Sequence, residues 1–486
     1  MKNKIIVLAI LGVIFMNYSC SKSFINELPT DQITEETFLK NSKDFNMVLN
    51  AGYQSLRSAY LYIYLIGDVA SDNAYTQKFS NFFDAILINE SNVSADNVTL
   101  GSIWTGSYSV IAKTNLVLDK IDGINMDPTL KNSYKGEAKF LRSLMYFNLV
   151  RIYGGVPLVL TYLTKTEETF SYGRESVPNI YSQIIADLKD AEQWLPPSYS
   201  SNADIGRATS MAVKSLLGEI YLTQKKYSEA STVLSGVIGN PTIGLLPNYS
   251  DVFDALKSNN KEVIFAVQYA SGFDPSQGNP WVGLAFPNQN IGTGVVKIGS
   301  GHFLMTDDLD RAFETGDNRK LMNNYDYVTG YWRRYVFTRK YYDKSNVLKV
   351  DAGNDWIIYR YADILLMYAE AQNELGKPDI ALNFIKQVRT RAGLTTDDAL
   401  GTDQNKMRLA LEKERRVELN CEGHRWFDLL RTDRLIPVMN AHFSDPTLDN
   451  DQIGSGSSIK SSELIFPIPK FEVDLNPTKL TQNPGY

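Results

Sequence analysis

Two segments of the chain share one pattern, and this repeat restricts the possible folds more than any other feature. Residues 208–238 (ATSMAVKSLLGEIYLTQKKYSEASTVLSGVI) and 359–394 (YRYADILLMYAEAQNELGKPDIALNFIKQVRTRAGL) each show helical periodicity, a short turn and helical periodicity again. When the segments are aligned from their first residues, Gly218 falls on Ala369. Small residues at matched positions let antiparallel helices approach closely, as in tetratricopeptide-type hairpins. The repeat therefore predicts helix pairs that stack in an arc.

Helical periodicity covers most of the chain on both sides of a segment that differs. That segment contains the strand-like run EVIFAVQYA among residues rich in Gly, Pro and Asn, a composition typical of loops and short strands. We predict a mostly α fold, a tetratricopeptide-like helical superhelix with this irregular lobe inserted. The predicted parts are a signal peptide (1–19), an N-terminal tether (20–40), a helical region (41–238), a ligand-binding lobe (239–357), and a second helical region with an extended C-terminal tail (358–486).

The N-terminus has the pattern of an export signal that ends at a cysteine. Two lysines in Met1–Lys4 precede the apolar run Ile5–Met16, which is too short to span a bilayer of ~30 Å as a helix. Cys20 follows Ser19, and in bacterial lipoproteins the thiol at this place is acylated and becomes the new N-terminus. Asn17 stands where a Leu-like residue is usual. An ordinary secretory peptide with an incidental cysteine is therefore the alternative.

Composition excludes several classes of protein. Apolar residues make up 43% of the chain and charged residues 21%, as in a globular protein. The net charge is −6 with no basic run, so we predict no nucleic-acid partner. Once Cys20 is lipidated, only Cys421 remains, which leaves no intramolecular disulfide. The 28 Tyr, 22 Phe and 6 Trp suit either a surface of amphipathic rings for a hydrated ligand or ordinary helix packing.

The sequence gives little support to an enzyme. It contains no HExxH, GxSxG, GxGxxG or P-loop motif, and only three histidines. Cys421 and His424 lie three residues apart, but no further Cys or His completes a metal set, so a buried thiol is the better interpretation. We predict no catalytic residues, no cofactor and no metal. Two carboxylates meeting in space would suffice for a glycosidase, so a surface glycan hydrolase stays as the third alternative.

The segment LALEKERRVELNCEGHRWFDLLRTDRL (409–435) is dense in charge and has two readings. Its Glu and Arg residues could form an anion or substrate site. They could equally form helix-surface and interhelical ion pairs, with Leu411, Val417 and Leu419 on the apolar side of the helix. The apolar spacing favours the structural interpretation.

Several stretches together resemble the SusD/RagB family of Gram-negative surface lipoproteins that take up polymers. They are CSKSFINELPTDQITEETFL, RYADILLMYAEAQNELG, VRTRAGL, EKERRVELNCEGHRWFDLLR and the closing IFPIPKFEVDLNP…LTQNPGY. They occur in the family's order and span nearly all of the mature chain. The resemblance implies a superhelix of four tetratricopeptide-like units with a less regular lobe.

The resemblance also implies a function. A member of this family captures a nutrient, usually a glycan, at the outer face of the outer membrane, where Cys20 would be the lipid anchor. It would sit as a lid on a SusC-like TonB-dependent transporter and deliver the ligand to it. The alternative is a helical-repeat surface lipoprotein that binds a peptide or protein.

Family ligand sites lie where the loop after the first long helix meets the irregular lobe, which here means residues 71–84 and parts of 272–335. Trp281 and Trp332 lie outside helical periodicity and are the leading candidates for an aromatic platform. The predicted ligand-binding residues are Trp281, Trp332, Tyr75, Phe79, Phe82, Asp72, Asn73, Gln77, Asn279 and Arg333. A ring stacks on the apolar face of a sugar while polar side chains bond its hydroxyls. A packed loop core is the alternative for all of them.

The other tryptophans suit a structural role. Trp104 and Trp426 lie on amphipathic helices and Trp194 at a helix end, so we predict all three in the core. Trp356 precedes a helix, and its surroundings favour neither role.

Overall fold

The computed structural model describes residues 38–78, 81–286, 299–327, 334–343, 351–453 and 457–486 of the chain. The α-helices in these ranges are α1 (Ser42–Tyr60), α2 (Phe83–Asn89), α3 (Val98–Lys120), α4 (Pro128–Tyr153), α5 (Thr166–Thr169), α6 (Val177–Trp194), α7 (Ser210–Thr223), α8 (Tyr227–Ile238), α9 (Trp281–Leu284), α10 (Asp307–Ala312), α11 (Tyr361–Glu374), α12 (Pro378–Arg391), α13 (Gln404–Glu418), α14 (Arg425–Arg431), α15 (Leu435–Phe443) and α16 (Lys470–Leu475). The strands are β1 (Ala74–Tyr75), β2 (Val263–Val267), β3 (Leu304–Met305), β4 (Asn323–Tyr327), β5 (Arg334–Thr338) and β6 (Trp356–Arg360).

Long helices pack as four pairs, which confirms the predicted fold class. The pairs are α1 with α3, α4 with α6, α7 with α8, and α11 with α12. Neighbouring pairs are in contact through α3 and α4, through α6 and α7, and through α8 and α11. The pairs therefore form one continuous stack, and α13 packs against its last member.

The repeated segments are the last two of these pairs, and their small residues act as predicted. A Cβ atom added to Gly218 would lie 2.3 Å from the side chain of Leu234 on the partner helix. Ala369, which aligns with Gly218, is fully buried. A larger residue at Gly218 would collide with Leu234 and push α7 and α8 apart, so the spacing of this pair depends on that glycine.

Short polar residues fix where the long helices begin. The side chain of Asn41 accepts hydrogen bonds from the first turn of α1, and Asn97 does the same for α3. Asp127 caps α4 through Leu130 N–H, and Pro128 occupies the first helical position. At the other end, Gly154 adopts a φ of 74°, which ends α4 at the pair formed with Gly155.

The lobe contains two small antiparallel sheets. One has four strands in the order β1-β3-β5-β4, and its edge strand β1 comes from the loop after α1. The other pairs β2 with β6. Strand β2 lies within the predicted run EVIFAVQYA, so that prediction is confirmed. The predicted boundary between 357 and 358 falls inside β6, and the division into domains stays a prediction.

One of the hydrophobic core clusters runs from the helices into the lobe. Phe140 of α4 contacts Phe265 of β2, with ring centroids 4.8 Å apart. Trp104 and Trp426 are buried as predicted, and Trp356, which the sequence left open, is buried too. Trp194 differs because it lies half-buried at the end of α6, where lysine ammonium groups cover its ring. Cation–π contact thus takes the place of full burial there.

The charge-dense segment forms ion pairs, as predicted, but several are buried and not on the helix surface. Glu418 of α13 is fully buried and accepts from the guanidinium groups of Arg319, Arg360 and Arg391. Burial acts to raise the pKa of Glu418, but these arginines outweigh it and hold the pKa well below its usual range. Cys421, just beyond the helix, is a buried thiol as predicted.

The structure describes the C-terminal end of the chain but not the N-terminal 37 residues. Cys20 and the predicted signal peptide lie outside the described residues. Among the described helices, none is both long enough and apolar enough for a membrane span. The C-terminal tail was expected to be extended, but most of it is turns and short helical segments, namely a 3-10 turn at Ser461–Glu463 and the helix α16. Asn483 holds it against the body by donating to the carbonyl oxygens of Tyr153 and Phe466.

Candidate functional site

The loop after α1 is held rigidly before it reaches the lobe. It starts with a π-helical turn, Leu65–Val69, in which Gly67 faces Gly423. A Cβ on Gly67 would lie 2.2 Å from the Gly423 carbonyl oxygen, so only glycine permits this approach. Asp68 then accepts a hydrogen bond of 2.7 Å from Gly423 N–H. The start of the loop is therefore fixed to the segment between α13 and α14.

Asp72 and Asn73 hold this loop in place, so their prediction as ligand-binding residues is wrong. Both are buried. Arg425 donates to the two oxygens of Asp72 at 2.7 and 2.9 Å, and Arg416 donates to Asn73 Oδ1 at 2.9 Å. Burial acts to raise the pKa of Asp72, but Arg416 and Arg425 hold it well below its usual range. These oxygens are already occupied by arginine donors and do not face solvent.

Tyr75 and Gln77 are also buried, contrary to prediction. Tyr75 belongs to β1 and pairs with Leu304 of β3, which turns its ring into the core. Gln77 N–H donates to the Gly301 carbonyl oxygen at 2.8 Å, and the Gln77 side chain lies over Gly301. A side chain at position 301 would collide with Gln77 Oε1. Both residues therefore join the loop to the lobe, and neither side chain is available to a ligand.

Trp281 and Asn279 lie in the core of the lobe, so the platform prediction for them is wrong. Trp281 is fully buried, and its ring centroid lies 4.5 Å from that of Trp356 and 5.5 Å from that of Tyr269. Asn279 donates from its side chain to the Asn354 carbonyl oxygen and accepts from Trp281 N–H, each at 2.7 Å. The rings that cover Trp281 come from segments distant in sequence. A residue in irregular sequence can therefore be buried as fully as one between packed helices.

Three predicted residues, Phe79, Trp332 and Arg333, lie outside the described residues. Of the predicted set, Phe82 alone is described and partly exposed. Its ring centroid lies 5.7 Å from that of Tyr62 and 4.9 Å from that of His302. We call Tyr62, Phe82 and His302 the loop–lobe cluster. Next to it, Phe83 is 74% exposed at the start of α2.

Sequence reasoning missed two members of the loop–lobe cluster. Tyr62 stands in the run YLYIYL, which continues the helical pattern of α1, although the helix ends at Tyr60. His302 is one of only three histidines in the chain, and no motif in the sequence marks it as a ligand-binding residue. The signal that points to both is position, since each lies where the loop and the lobe come together.

The loop–lobe cluster has the chemistry of a binding surface more than that of a reactive site. All three rings are half-buried, and each carries or adjoins a polar group. The backbone beneath them is fixed, because Thr76 donates from its hydroxyl to the His302 carbonyl oxygen at 2.8 Å. In the described part of the chain, His, Cys, Asp and Glu form no group of three or more that could hold a metal ion.

Away from the loop–lobe cluster, a cavity of about 450 Å³ lies among α11, α13 and α14 and is lined mostly by charged side chains. These charges pair with one another across the cavity. Arg431 bonds Glu370, and Arg408 donates to both oxygens of Glu374 at 2.6 and 2.8 Å. Because the pairs satisfy each other, this cavity presents no converging set of groups to a ligand.

Comparison with known proteins agrees with this architecture. A family model described as "SusD family" matches residues 323–486, and one described as "Starch-binding associating with outer membrane" matches residues 23–222. "SusD-like protein P25" of Formosa agariphila is 26% identical, and the alignment covers 99% of each chain.

Solved structures show the same fold. The crystal structure of a SusD-like protein from Bacteroides fragilis superposes with a TM-score of 0.80 at 23% identity, covering 95% of this chain and 100% of that one. A structure described as a laminarin binding SusD-like protein gives a TM-score of 0.78 at 27% identity, covering 92% and 100%. The two family models match separate parts of the chain, and the relatives match along its whole length. The protein therefore belongs to the SusD/RagB family.

Proposed function

We propose that this protein captures a glycan at the cell surface and that the loop–lobe cluster is the surface that binds it. The observation that carries the proposal is the meeting of three half-buried rings from two segments, with centroids 5.7 and 4.9 Å apart. A sugar offers an apolar C–H face and a rim of hydroxyls. Rings held on a rigid backbone match the apolar face at little entropic cost.

Relatives support a glycan as the ligand. One structural neighbour, at 27% identity, is described as laminarin binding. Another, the surface glycan-binding protein A of Bacteroides thetaiotaomicron, was solved in complex with laminarihexaose. One of the matching family models carries the description starch-binding. These statements concern those proteins, and they make laminarin and starch the first polysaccharides to test on this chain.

The proposal includes a place in the cell. Acylation of Cys20 would anchor the protein to the outer membrane, facing the exterior, with residues 20–40 as the tether. Support comes from the signal pattern before Cys20 and from the family description that mentions association with the outer membrane. From there the protein would pass its ligand to a SusC-like TonB-dependent transporter, the partner that the family resemblance implies.

We propose binding without cleavage. Hydrolysis of a glycosidic bond requires two carboxyl groups that face the substrate. The acidic residues of the loop, Asp68 and Asp72, are buried and engaged with Gly423 and Arg425. Neither is placed to protonate or attack a ligand on the loop–lobe cluster.

The test is a binding screen on the purified mature chain. Retardation in gels that contain laminarin or starch, together with a glycan microarray, measures glycan binding, and a peptide-library pulldown tests the peptide alternative. Phe82→Ala should lower affinity about thirty-fold, which corresponds to roughly 2 kcal/mol for the loss of a central ring. Phe170→Ala is the matched control, because Phe170 is 42% exposed and distant in sequence from both the loop and the lobe.

Three results would count against the proposal. Capture of peptides with no glycan bound would favour the peptide-binding alternative. Accumulation of shortened oligosaccharides, abolished by a single carboxylate substitution, would make the protein an enzyme. Equal affinity of Phe82→Ala and the wild type would place the site elsewhere.

A further inference from the structure

A groove of about 770 Å³ opens beside the loop–lobe cluster. Its walls are the end of α1, the N-terminal half of α3, the loop at 95–97 and the first residues of α16. The tail is fixed in this place, since Lys470 N–H donates to the Ala95 carbonyl oxygen at 2.9 Å. The groove is thus bounded by backbone that is hydrogen-bonded in position, and its volume falls in the range of ligand sites.

Tyr62 belongs to both features. It lines the groove, and its ring contacts Phe82 of the loop–lobe cluster. A molecule lying on Phe82 therefore meets the groove on passing Tyr62. The second ring of the groove is Phe471 of α16, which is 47% exposed.

Glycines keep the groove open along α3. A Cβ on Gly101 would lie 3.1 Å from the ring of Phe471, and a Cβ on Gly106 would lie 2.8 Å from the backbone of Ala59. The missing side chain at 101 lets the Phe471 ring settle against the helix. The missing side chain at 106 lets α1 and α3 approach closely. Between the two glycines, the small residue Ser102 also lines the groove.

We propose that this groove holds further units of an uncharged glycan chain whose neighbouring unit lies on the loop–lobe cluster. Tyr62 and Phe471 supply rings for sugar faces, and Thr105 supplies a hydroxyl group at the rim. The hydroxyl oxygens of Ser102 and Ser109, which bond Val98 and Lys113 within α3, keep lone pairs that can accept from a sugar. The inference rests on the proposed function and adds the length and charge of the ligand to it.

Charge favours a neutral chain. The lining residues of the groove include one exposed carboxylate, Asp96, and one ammonium group, that of Lys470, which is paired with Asp474. A second ammonium group, that of Lys113, lies against the lining and donates to Ser109 Oγ at 2.8 Å. An anionic glycan calls for a cluster of Arg or Lys, and this lining does not provide one. Sugar hydroxyls, in contrast, can donate to Asp96 and exchange hydrogen bonds with the α3 hydroxyl groups.

The experiment compares short and long sugars by isothermal titration on the mature chain. The probes are laminaritriose with laminarihexaose and maltotriose with maltohexaose. Phe471→Ala removes the second ring, and Thr105→Arg fills the groove from an exposed position of α3, where arginine is a good helix former. Phe82→Ala changes the neighbouring surface, and Leu256→Ala, at an 81% exposed position outside the groove lining, serves as the control.

The wild type should bind a hexasaccharide more tightly than the matching trisaccharide. Phe471→Ala and Thr105→Arg should each lower hexasaccharide affinity about tenfold, to near the trisaccharide value, and leave trisaccharide affinity unchanged. Phe82→Ala should lower both. Thermal melting of each variant should match the wild type, because the changed side chains are exposed or partly exposed.

The outcomes separate this inference from the proposed function. If both groove variants bind hexasaccharide as the wild type does, the inference is refuted and glycan capture stands. A wild type that binds none of the four sugars refutes the inference, and one that also binds no polysaccharide refutes the proposed function as well. If the groove variants keep glycan affinity but lose capture of a protein from the outer membrane, the groove is a protein-docking surface and the inference is wrong.

Discussion

Replacing Trp281 with alanine should destabilise the protein and leave ligand affinity unchanged. The indole is fully buried among Tyr269, Tyr341 and Trp356, with ring centroids 5.5, 6.1 and 4.5 Å away. Removing a buried tryptophan leaves a cavity and typically costs about 3–5 kcal/mol. Three aromatic neighbours place this site toward the upper end of that range, since each such pair adds about 0.5–1.5 kcal/mol beyond burial.

The size of the chain sets how this loss appears in a melting experiment. Unfolding entropy near 60 °C is about 2.1 cal/mol/K per residue, so a chain of 486 residues has about 1 kcal/mol/K. A loss of about 5 kcal/mol therefore lowers the Tm by about 5 °C. Trp281→Phe should lower it less, because it keeps a ring and removes an indole N–H that has no hydrogen-bond partner.

The assay pairs scanning calorimetry with glycan affinity for Trp281→Ala, Trp281→Phe and Phe82→Ala. The expected pattern is a lowered Tm with intact affinity for the tryptophan variants and the reverse for Phe82→Ala. Trp281→Ala that loses about thirty-fold in affinity at an unchanged Tm would refute the reasoning, because the indole would then have to lie on the ligand surface.

Three further predictions concern the anchor and the buried charges. Cys20→Ala should release the protein from the membrane fraction and abolish palmitate labelling, since a protein without acyl chains has no stable anchor; sedimentation with the outer membrane at undiminished labelling would contradict this. Glu418→Gln should lower the free energy of unfolding in urea by about 3–5 kcal/mol, because it leaves buried guanidinium groups without their shared carboxylate. An unchanged urea midpoint would show that the fold does not depend on the charge of Glu418. Because Glu418 and Asp72 have pKa values in the fold below their usual range of about 4, the stability they supply is present above that range and is lost as pH falls. Burial raises the pKa of Asp68 to about 6, so its contribution has the opposite sign and is lost as pH rises through about 6. The Tm should therefore rise slightly from pH 7 to 5 and fall below about pH 4; a Tm that keeps rising below pH 4 would contradict these signs.

The sequence was sufficient for features that depend on near neighbours along the chain. Helical periodicity and the short turn inside each repeated segment involve residues within one or two turns of each other. The close packing of α7 and α8 at Gly218 could also be inferred, since the helices adjoin and the repeat supplied a second example. Such local patterns are enough to predict helix pairs and their order.

Burial in the irregular lobe could not be inferred in the same way. Gly, Pro and Asn around Trp281 indicate that the chain is not helical there, but they carry no information about what covers the ring. Its partner Trp356 lies 75 residues further along the chain. Asp72 has the composition of a solvent-facing loop residue, yet Arg416 and Arg425 bury it from more than 300 positions away. Only the tertiary structure shows that Trp281 and Asp72 are buried and that Phe82 is partly exposed.

The arginine contacts to Asp72 also determine the order in which the fold can be completed. Arg425 lies 353 residues after Asp72 in the chain, so their contact closes a long loop, at an entropic cost that local contacts do not carry. The helix pairs α1–α3 and α4–α6 consist of contacts within the first 200 residues and can form without it. The loop that carries Phe82 has to wait for the last quarter of the chain. A protein truncated before Arg416 would thus keep much of its helical structure and lack the fixed surface that we propose for glycan capture.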